Sequence, residues 1–195
     1  MSFANDIFLE VSKLKSLTKL IAIDGYTGSG KSLLAKELQK IDPLIQIVQM
    51  DDFYLPSKQR PTFSSDKSID EYYDWIRLSK EVLIPLKQGN NASYCKYNWD
   101  LDLLEDKKYE IEPYRTIIIE GISCLSPNIT DKFSYDYIAW VEAPYRIRLQ
   151  RGIDRDGEGK RDRWENEWMP LEDNYVTKYK PDKKANRIID GTKII

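Results

Sequence analysis

Residues 20–34 read Leu-Ile-Ala-Ile-Asp-Gly-Tyr-Thr-Gly-Ser-Gly-Lys-Ser-Leu-Leu, and this segment is the most informative part of the sequence. Leu20–Asp24 is a short apolar run, which predicts a buried strand. Gly25–Ser32 matches the pattern G-x-x-x-x-G-K-[ST] in full. The residues after it, 32–41, have apolar side chains at helical spacing, and Pro43 stops the helix. A strand, a glycine-rich turn and a helix in this order predict a phosphate-binding loop.

Each part of this loop has a physical task in holding the phosphates of a nucleotide. The glycines let successive N–H groups point into one concavity, and the helix adds its positive dipole end. Lys31 supplies a mobile charge for the β- and γ-phosphates, and the Ser32 hydroxyl is placed to ligate Mg²⁺. The predicted nucleotide-binding residues are Gly25, Tyr26, Thr27, Gly28, Ser29, Gly30, Lys31, Ser32 and Leu33. The alternative is a glycine-rich turn without a ligand, which the combination of motif and context disfavours.

Composition excludes several classes of function. The chain has 195 residues, which suits one domain over residues 1–195 and is short for two. It has no histidine, so Ser-His and Cys-His catalysis and most catalytic zinc sites are excluded. The net charge of −2 argues against a nucleic-acid partner. No apolar run approaches the length of a membrane span, and the first 19 residues do not resemble a signal peptide, so we expect a cytoplasmic protein.

The pattern of apolar stretches predicts the architecture. Five stretches are expected to be strands: Leu20–Asp24, Ile45–Val48, Thr116–Ile119, Tyr137–Val141 and Arg187–Ile189. Helical patterns are found at residues 3–17, 32–41, 76–86, 145–155 and 163–176. Strands that alternate with helices predict a three-layer α/β/α fold with a five-stranded parallel sheet. The segment of about 145–177 is expected to form a helical lid.

Two carboxylates are expected beside the loop, because ligands of open α/β sheets bind at the carboxyl ends of strands. Asp51 follows the second strand, where it could accept the proton of an attacking hydroxyl, although a turn or cap role is the alternative. The neighbouring Asp52 is expected to have that structural role. Glu120 ends the third strand, as the acid of a Walker-B strand does, and would hold Mg²⁺. Its alternative is a solvated glutamate at a strand end.

Arginines follow the fourth strand. Arg148, Arg151 and Arg155 share one face of a predicted helix, and Gly157 and Gly159 form a flexible hinge after it. Arginines on a mobile lid can stabilise the charge of a transferring phosphoryl group. The alternative is a solvated helix, in which neighbouring carboxylates pair with the arginines.

The chain resembles the uridine kinase/phosphoribulokinase family of P-loop small-molecule kinases over nearly its whole length. The matching stretches are Gly25–Ser32, Asp51–Tyr54, Ile119–Ile122, Leu149–Arg151 with Arg155 and Asp156, and Lys184–Ile189. The resemblance implies a catalytic base at Asp51, a magnesium ligand at Glu120, and phosphate contacts from Arg151 and Arg155. It indicates phosphate contacts from Arg161 or Arg163 less clearly. It also implies a sheet of five parallel strands, with ATP and Mg²⁺ as cofactors.

The acceptor is less clearly indicated. Uridine kinases carry a histidine near the nucleobase and an Arg-Gly-Arg element in the lid, whereas this chain has no histidine and reads Gly-Lys-Arg at residues 159–161. Residues 168–170 resemble nicotinamide riboside kinases. Aromatic residues and acids concentrate at 72–75 and 94–99, and the predicted acceptor-binding residues are Tyr54, Asp74 and Tyr97. A role of these aromatics in packing is equally compatible with the sequence.

Three functions are compatible with these features of the sequence. The first is ATP-dependent phosphorylation of a hydroxyl on a small-molecule acceptor, most simply a nucleoside, with another polyol or a riboside as alternatives. The second is a nucleotide-dependent regulatory ATPase, but the chain has no N-K-x-D motif and no glutamine placed after Glu120 to orient water. The third is a kinase fold used only for binding, against which Lys31, Asp51 and Glu120 argue. The sequence indicates neither the oligomeric state nor a preference for ATP over GTP.

Overall fold

The computed structural model describes residues 2–194, and a parallel sheet forms its centre. Its strands are β1 (Lys19–Gly25), β2 (Gln46–Gln49), β5 (Thr116–Glu120), β6 (Tyr137–Glu142) and β7 (Arg187–Asp190). They pair in the order β2-β5-β1-β6-β7, and every pair is parallel. The predicted α/β fold with five parallel strands is therefore confirmed. Because β1 is central, the loop that follows it emerges between the ends of β5 and β6.

The sheet has a hydrophobic core on each face, because alternate residues of a strand point to opposite sides. In β1, Ile21 and Ile23 belong to one core and Ala22 to the other. In β5, Ile118 belongs to the first core and Ile119 to the second. Strands buried on both faces favour the β-branched residues found here.

Helices cover both cores and complete the three predicted layers. They are α1 (Phe3–Ser12), α2 (Lys31–Ile41), α3 (Trp75–Leu78), α4 (Ile84–Lys87), α5 (Pro127–Thr130), α6 (Tyr145–Asp156), α7 (Arg161–Arg163) and α8 (Met169–Tyr179). Helices α1 and α2 pack on one face, whereas α3, α4 and α8 pack on the other. Within residues 2–194, no helix has both the length and the apolar character needed to cross a bilayer.

The helix predicted over residues 76–86 differs in detail. It runs from Trp75 to Lys87, but its middle segment, Ser79–Leu83, has π-helical hydrogen bonds. The irregular turn directly precedes the turn that contains Pro85. Pro85 has no N–H to donate, so an α-helical partner is missing for a carbonyl one turn earlier, and the helix widens there.

A β-hairpin lies outside the main sheet and was not predicted. Its strands are β3 (Ala92–Asn98) and β4 (Leu103–Ile111), which pair antiparallel with an irregularity between Cys95 and Tyr97. That irregularity breaks the strict alternation of apolar and polar residues that identifies a strand in a sequence. The hairpin carries Tyr97, one of the two aromatic residues predicted to bind the acceptor.

The predicted lid is helical, but it has an irregular middle. Helix α6 is followed by the 3-10 segment Glu158–Lys160, and α7 leads through the π-helical segment Trp164–Trp168 into α8. A side chain added at Gly157 or Gly159 would meet no atom within 4 Å. The two glycines that were predicted to form a hinge therefore have open space around them.

Candidate active site

Glycines of the loop between β1 and α2 are required by its path. Gly25 has φ +144°, and a Cβ there would lie 2.0 Å from the carbonyl oxygen of Val141. Gly28 has φ +76°, and its Cβ would lie 2.7 Å from the carbonyl oxygen of Arg148. Any side chain at these positions would push the loop away from β6 and α6.

The first turn of α2 is prepared for an anion. Gly30 occupies the N-cap position and provides no side-chain hydrogen bond to the helix, so the first N–H groups of α2 remain available to a ligand. Lys31 is 7% exposed, and its Nζ donates to the carbonyl oxygen of Tyr26 over 2.9 Å. The ammonium group is thus held within the loop itself.

Ser32 and Glu120 come together although 88 residues separate them. The Ser32 Oγ donates to Oε1 of Glu120 over 3.0 Å, and Gln49 Nε2 donates to the same oxygen over 3.0 Å. Gln49 is the register partner of Glu120 across β2 and β5. The hydroxyl and the carboxylate predicted to hold Mg²⁺ therefore lie side by side.

Asp51 lies in the same cleft as this pair. The cleft has a volume of about 340 Å³ and is lined by the glycine-rich loop, Asp51, Glu120, Arg151, Arg155 and Trp164. The Asp51 side chain is open to solvent within it. Protein walls that reduce its solvation raise the pKa of Asp51, and the charge of Glu120 adds to the rise, whereas Lys31 and Arg155 oppose it. Asp51 is therefore a carboxylate that faces the cleft and binds a proton more strongly than an ordinary aspartate.

Arg151 and Arg155 both line the cleft, but their hydrogen bonds differ. Arg151 donates from Nη1 to the carbonyl oxygens of Gly28 (3.0 Å) and Ser29 (3.2 Å), and from Nη2 to that of Gly191 (3.1 Å). Arg155 forms a two-point pair with Asp156, at 2.7 and 3.1 Å. Arg151 thus supports the loop directly, whereas Arg155 is held by its neighbour at the mouth of the cleft.

The other arginines of this region do not line the cleft. Arg161 pairs with Glu158 and Glu165, and Arg163 pairs with Glu167 over 3.0 Å. These pairs correspond to the alternative of a solvated, charged helix face.

Two buried carboxylates that we had not assigned support the loop from below. Asp24 is fully buried and accepts hydrogen bonds from the N–H groups of Gly25, Ser123 and Leu125 and from the Tyr175 hydroxyl. Burial raises the pKa of Asp24, although the hydrogen bonds from Tyr175, Gly25 and Leu125 and the charge of Lys31 oppose the rise. The only sequence signal of Asp24 is its place as an acid at the end of an apolar strand.

Glu172 of α8 is the second of these carboxylates. It is 2% exposed, and its Oε2 accepts from the N–H of Thr27 over 3.1 Å. Burial also raises the pKa of Glu172, whereas the bond from Thr27 and the charges of Lys31 and Arg148 lower it. Nothing in the amphipathic pattern of α8 distinguishes it from a surface glutamate.

Tyr54 and Tyr97, two of the predicted acceptor residues, lie in one aromatic cluster with Trp99. The ring centroid of Tyr54 is 4.6 Å from that of Trp99 and 6.0 Å from that of Tyr97. The Arg60 guanidinium lies 4.7 Å from the Tyr54 centroid. Arg60 and Tyr97 both donate to Asp102, which ties the loop after Tyr54 to the hairpin turn.

Asp74 has other partners. Its Oδ1 accepts from the N–H of Arg77 over 2.9 Å and so caps α3, and its Oδ2 lies 3.7 Å from Nε of Arg77. Asp52, for which a turn or cap role was predicted, instead pairs with Lys96 (3.2 Å) and accepts from Tyr94 (3.0 Å), so it is bound to the hairpin.

Comparison with known proteins relates this geometry to kinases. The chain is 28% identical over 185 residues to a uridine kinase of Macrococcus caseolyticus, covering 91% of this chain and 85% of that protein. It is 23% identical over 180 residues to a uridine kinase of Halobacterium salinarum, covering 87% and 78%. The solved structure of a possible uridine kinase from Bacillus stearothermophilus superposes with a TM-score of 0.71 at 19% identity, covering 96% and 97%. No protein-family model matches the chain.

The fold, the glycine-rich loop and these relatives define the protein as a P-loop kinase, an enzyme that uses ATP as phosphoryl donor. Within that class, the relatives confirm the resemblance to the uridine kinase/phosphoribulokinase family.

Proposed function

We propose that this kinase transfers the γ-phosphoryl group of ATP to a hydroxyl of a small molecule, and that the acceptor is a nucleoside. The observation that carries the proposal is the position of Asp51. It opens into the cleft that Lys31, Ser32 and Glu120 also line. A base, a phosphate-binding cation and a metal-binding pair thus surround one space.

In the proposed reaction, the acceptor hydroxyl oxygen forms a bond to the γ-phosphorus, and the bond from phosphorus to the β,γ-bridging oxygen breaks. The hydroxyl proton passes to Asp51, and ADP leaves. The raised pKa of Asp51 favours this step, because a carboxylate with a higher pKa accepts a proton more readily. Lys31 would leave the Tyr26 carbonyl to neutralise the phosphates.

The residues present fit a magnesium ion. Ser32 Oγ and Glu120 Oε1 are 3.0 Å apart, and both are oxygen donors of the kind that Mg²⁺ prefers. In nucleotide sites this ion takes one or two protein oxygens, the phosphates and water. When bound, it would neutralise charge that develops on the phosphates during transfer. Ser32 and Glu120 are accordingly proposed as its ligands.

The lid would act through its arginines. Arg155 reaches the mouth of the cleft and, at 61% side-chain exposure, is free to exchange Asp156 for a phosphate. Arg151 would hold the loop in shape through its three backbone contacts. Closure would occur at Gly157, where a side chain would meet no packed atom within 4 Å.

The aromatic cluster of Tyr54, Tyr97 and Trp99 would form the wall against which a flat ring packs. Tyr54 is three residues from Asp51, so a ring at this wall would bring an attached sugar hydroxyl toward the base.

Nicotinamide riboside and other polyols are the alternative acceptors. A single domain over residues 1–195 and a cytoplasmic location stay predictions.

The test is ADP release from Mg-ATP in the presence of a panel of nucleosides, nicotinamide riboside and sugars. We expect one class of acceptor to stimulate release, and Asp51→Asn to lose the stimulation by a factor of about 100 or more, within the range for general bases. Asp131→Asn, an exposed carboxylate outside the cleft, is the matched control and should retain it.

Two results would contradict the proposal. If no compound raises ADP release above the rate without acceptor, the nucleoside assignment fails. If Asp51→Asn and native protein respond equally to an acceptor, Asp51 is not the base.

A further inference from the structure

Glu172 of α8 is a buried carboxylate that accepts a hydrogen bond from the phosphate-binding loop and not from a group of α8 itself. Its Oε2 accepts from the N–H of Thr27 over 3.1 Å, and the side chain is 2% exposed. A buried carboxylate is costly unless it is hydrogen-bonded or paired. The hydrogen bond from Thr27 therefore offsets part of the cost of burying the Glu172 carboxylate.

Arg148 of α6 meets the loop at the same place. Its Nη1 lies 3.7 Å from Oε2 of Glu172, and its guanidinium carbon lies 3.9 Å from the ring centroid of Tyr26. Its Nε donates to the carbonyl oxygen of Ala143 over 3.0 Å. The helices on both sides of the hinge are thus joined beneath Tyr26 and Thr27.

We propose that Glu172 is a positioning residue for nucleotide binding, which fixes the loop at Thr27 before the phosphates arrive. Because the N–H of Thr27 donates to Glu172, the phosphates would be bound by the N–H groups that lie nearer α2. A loop that is already ordered loses less conformational entropy on binding. This proposal rests on the proposed role of residues 25–32 in binding the nucleotide, and it is independent of the acceptor.

A purely structural role in attaching α8 is less able to explain this arrangement. Helix α8 is already held to the sheet by Leu171 and Tyr175, which lie in the hydrophobic core. The Tyr175 hydroxyl also donates to Asp24 over 2.7 Å. Glu172 adds a contact to the loop that the docking of the helix does not require.

Two conservative variants separate the hydrogen bond from the charge. Glu172→Gln keeps an oxygen at the same reach for the N–H of Thr27 but removes the charge opposite Arg148. Glu172→Asp keeps the charge but withdraws it by about 1.5 Å, the length of one C–C bond, so that the bond to Thr27 is lost. We expect Glu172→Gln to melt at a lower temperature, because it leaves Arg148 buried without a counter-charge.

The experiment is calorimetric titration of each variant with ADP and Mg²⁺, at a temperature where all variants are folded. We expect Glu172→Asp to bind ADP about tenfold more weakly than the native protein, since a loop N–H loses its partner. Glu172→Gln should stay within about threefold. Thr177→Ala, on the exposed side of α8, should bind ADP as the native protein does.

The inference is overturned if Glu172→Asp binds ADP as tightly as the native protein, or if Glu172→Gln is weakened as much as Glu172→Asp. Absence of ADP binding by the native protein would instead contradict the assignment of the loop. Failure to find an acceptor, with ADP binding intact, would contradict only the proposed acceptor.

Discussion

The Ser32 hydroxyl donates to the Glu120 carboxylate over 3.0 Å, which joins the first turn of α2 to the end of β5. The contact follows from topology, because β5 is the neighbour of β1 and ends beside the loop that follows β1. Gln49 of the next strand donates to the same oxygen and holds the carboxylate in place. Three adjacent elements thus bring together the side chains that we propose as the cation site.

The first prediction concerns this pair. Ser32→Ala and Glu120→Gln should each raise the Mg²⁺ concentration needed for half-maximal activity, by at least about tenfold. If both oxygens bind one ion, the double variant should be little worse than the poorer single variant, since coupled residues are not additive. Titration of activity with Mg²⁺ measures this. Fully additive effects would mean that the two residues do not share an ion.

The second prediction concerns the pH dependence of the reaction. Asp51 must be deprotonated to act as a base, so kcat/KM should fall as the pH decreases through its pKa, which is raised above the usual value. The charge of Arg155 lowers the pKa of Asp51. Arg155→Gln should therefore move the acid limb of the profile to higher pH, and salt should reduce the difference because Arg155 is largely exposed.

The matched control for that profile is Arg115→Gln, which removes a surface arginine paired with Glu112 at 3.6 Å. Its profile should coincide with that of the native protein. An acid limb that stays in place, or moves to lower pH, in Arg155→Gln would contradict the proximity of the two charges in solution.

The third prediction concerns Arg151. Its guanidinium reaches the carbonyl oxygens of Gly28, Ser29 and Gly191 at once, which a lysine ammonium cannot reproduce with the same fork geometry. Arg151→Lys should therefore raise the KM for ATP by about tenfold, the loss of roughly 1.4 kcal/mol of hydrogen bonding. Arg115→Lys should have no effect. An unchanged KM for ATP in Arg151→Lys would show that charge alone is needed there.

The fourth prediction separates Asp74 from Tyr97. Asp74→Ala removes the N-terminal cap of α3, so the free energy of unfolding, measured with urea, should fall by about 1 kcal/mol. The KM for the acceptor should be unchanged. Tyr97→Phe removes the hydroxyl that donates to Asp102 over 2.6 Å. Loosening of this wall should raise the KM for the acceptor, but not that for ATP.

A raised KM for the acceptor in Asp74→Ala, together with an unchanged free energy of unfolding, would contradict this prediction. It would support the acceptor-binding role that was predicted for Asp74 from the sequence.

The sequence predicted the features that depend on local order. The loop motif fixes the spacing of Lys31 and Ser32 within one turn, and strand ends placed Asp51 and Glu120, because parallel strands present their carboxyl ends at one edge. These residues do line one cleft. Periodicity likewise predicted every strand of the main sheet.

The sequence could not predict the contacts that depend on distant partners. Asp24 meets the Tyr175 hydroxyl across 151 residues, and Glu172 meets Thr27 across 145. The local sequence does not indicate the partners of either acid, because these are backbone N–H groups or a side chain supplied by tertiary packing. The hairpin was missed for a different reason, since its irregularity at Cys95 and Tyr97 interrupts the alternation of side chains.

The most direct test of the central claim follows the destination of the phosphoryl group. ATP labelled in its γ-phosphate is incubated with the native protein, Mg²⁺ and the acceptor that stimulates ADP release, and the products are separated. We expect the label to appear on a hydroxyl of the acceptor in a 1:1 ratio with ADP, and Asp51→Asn to lose the transfer. Label recovered as free phosphate, at a rate that the acceptor does not change, would contradict it.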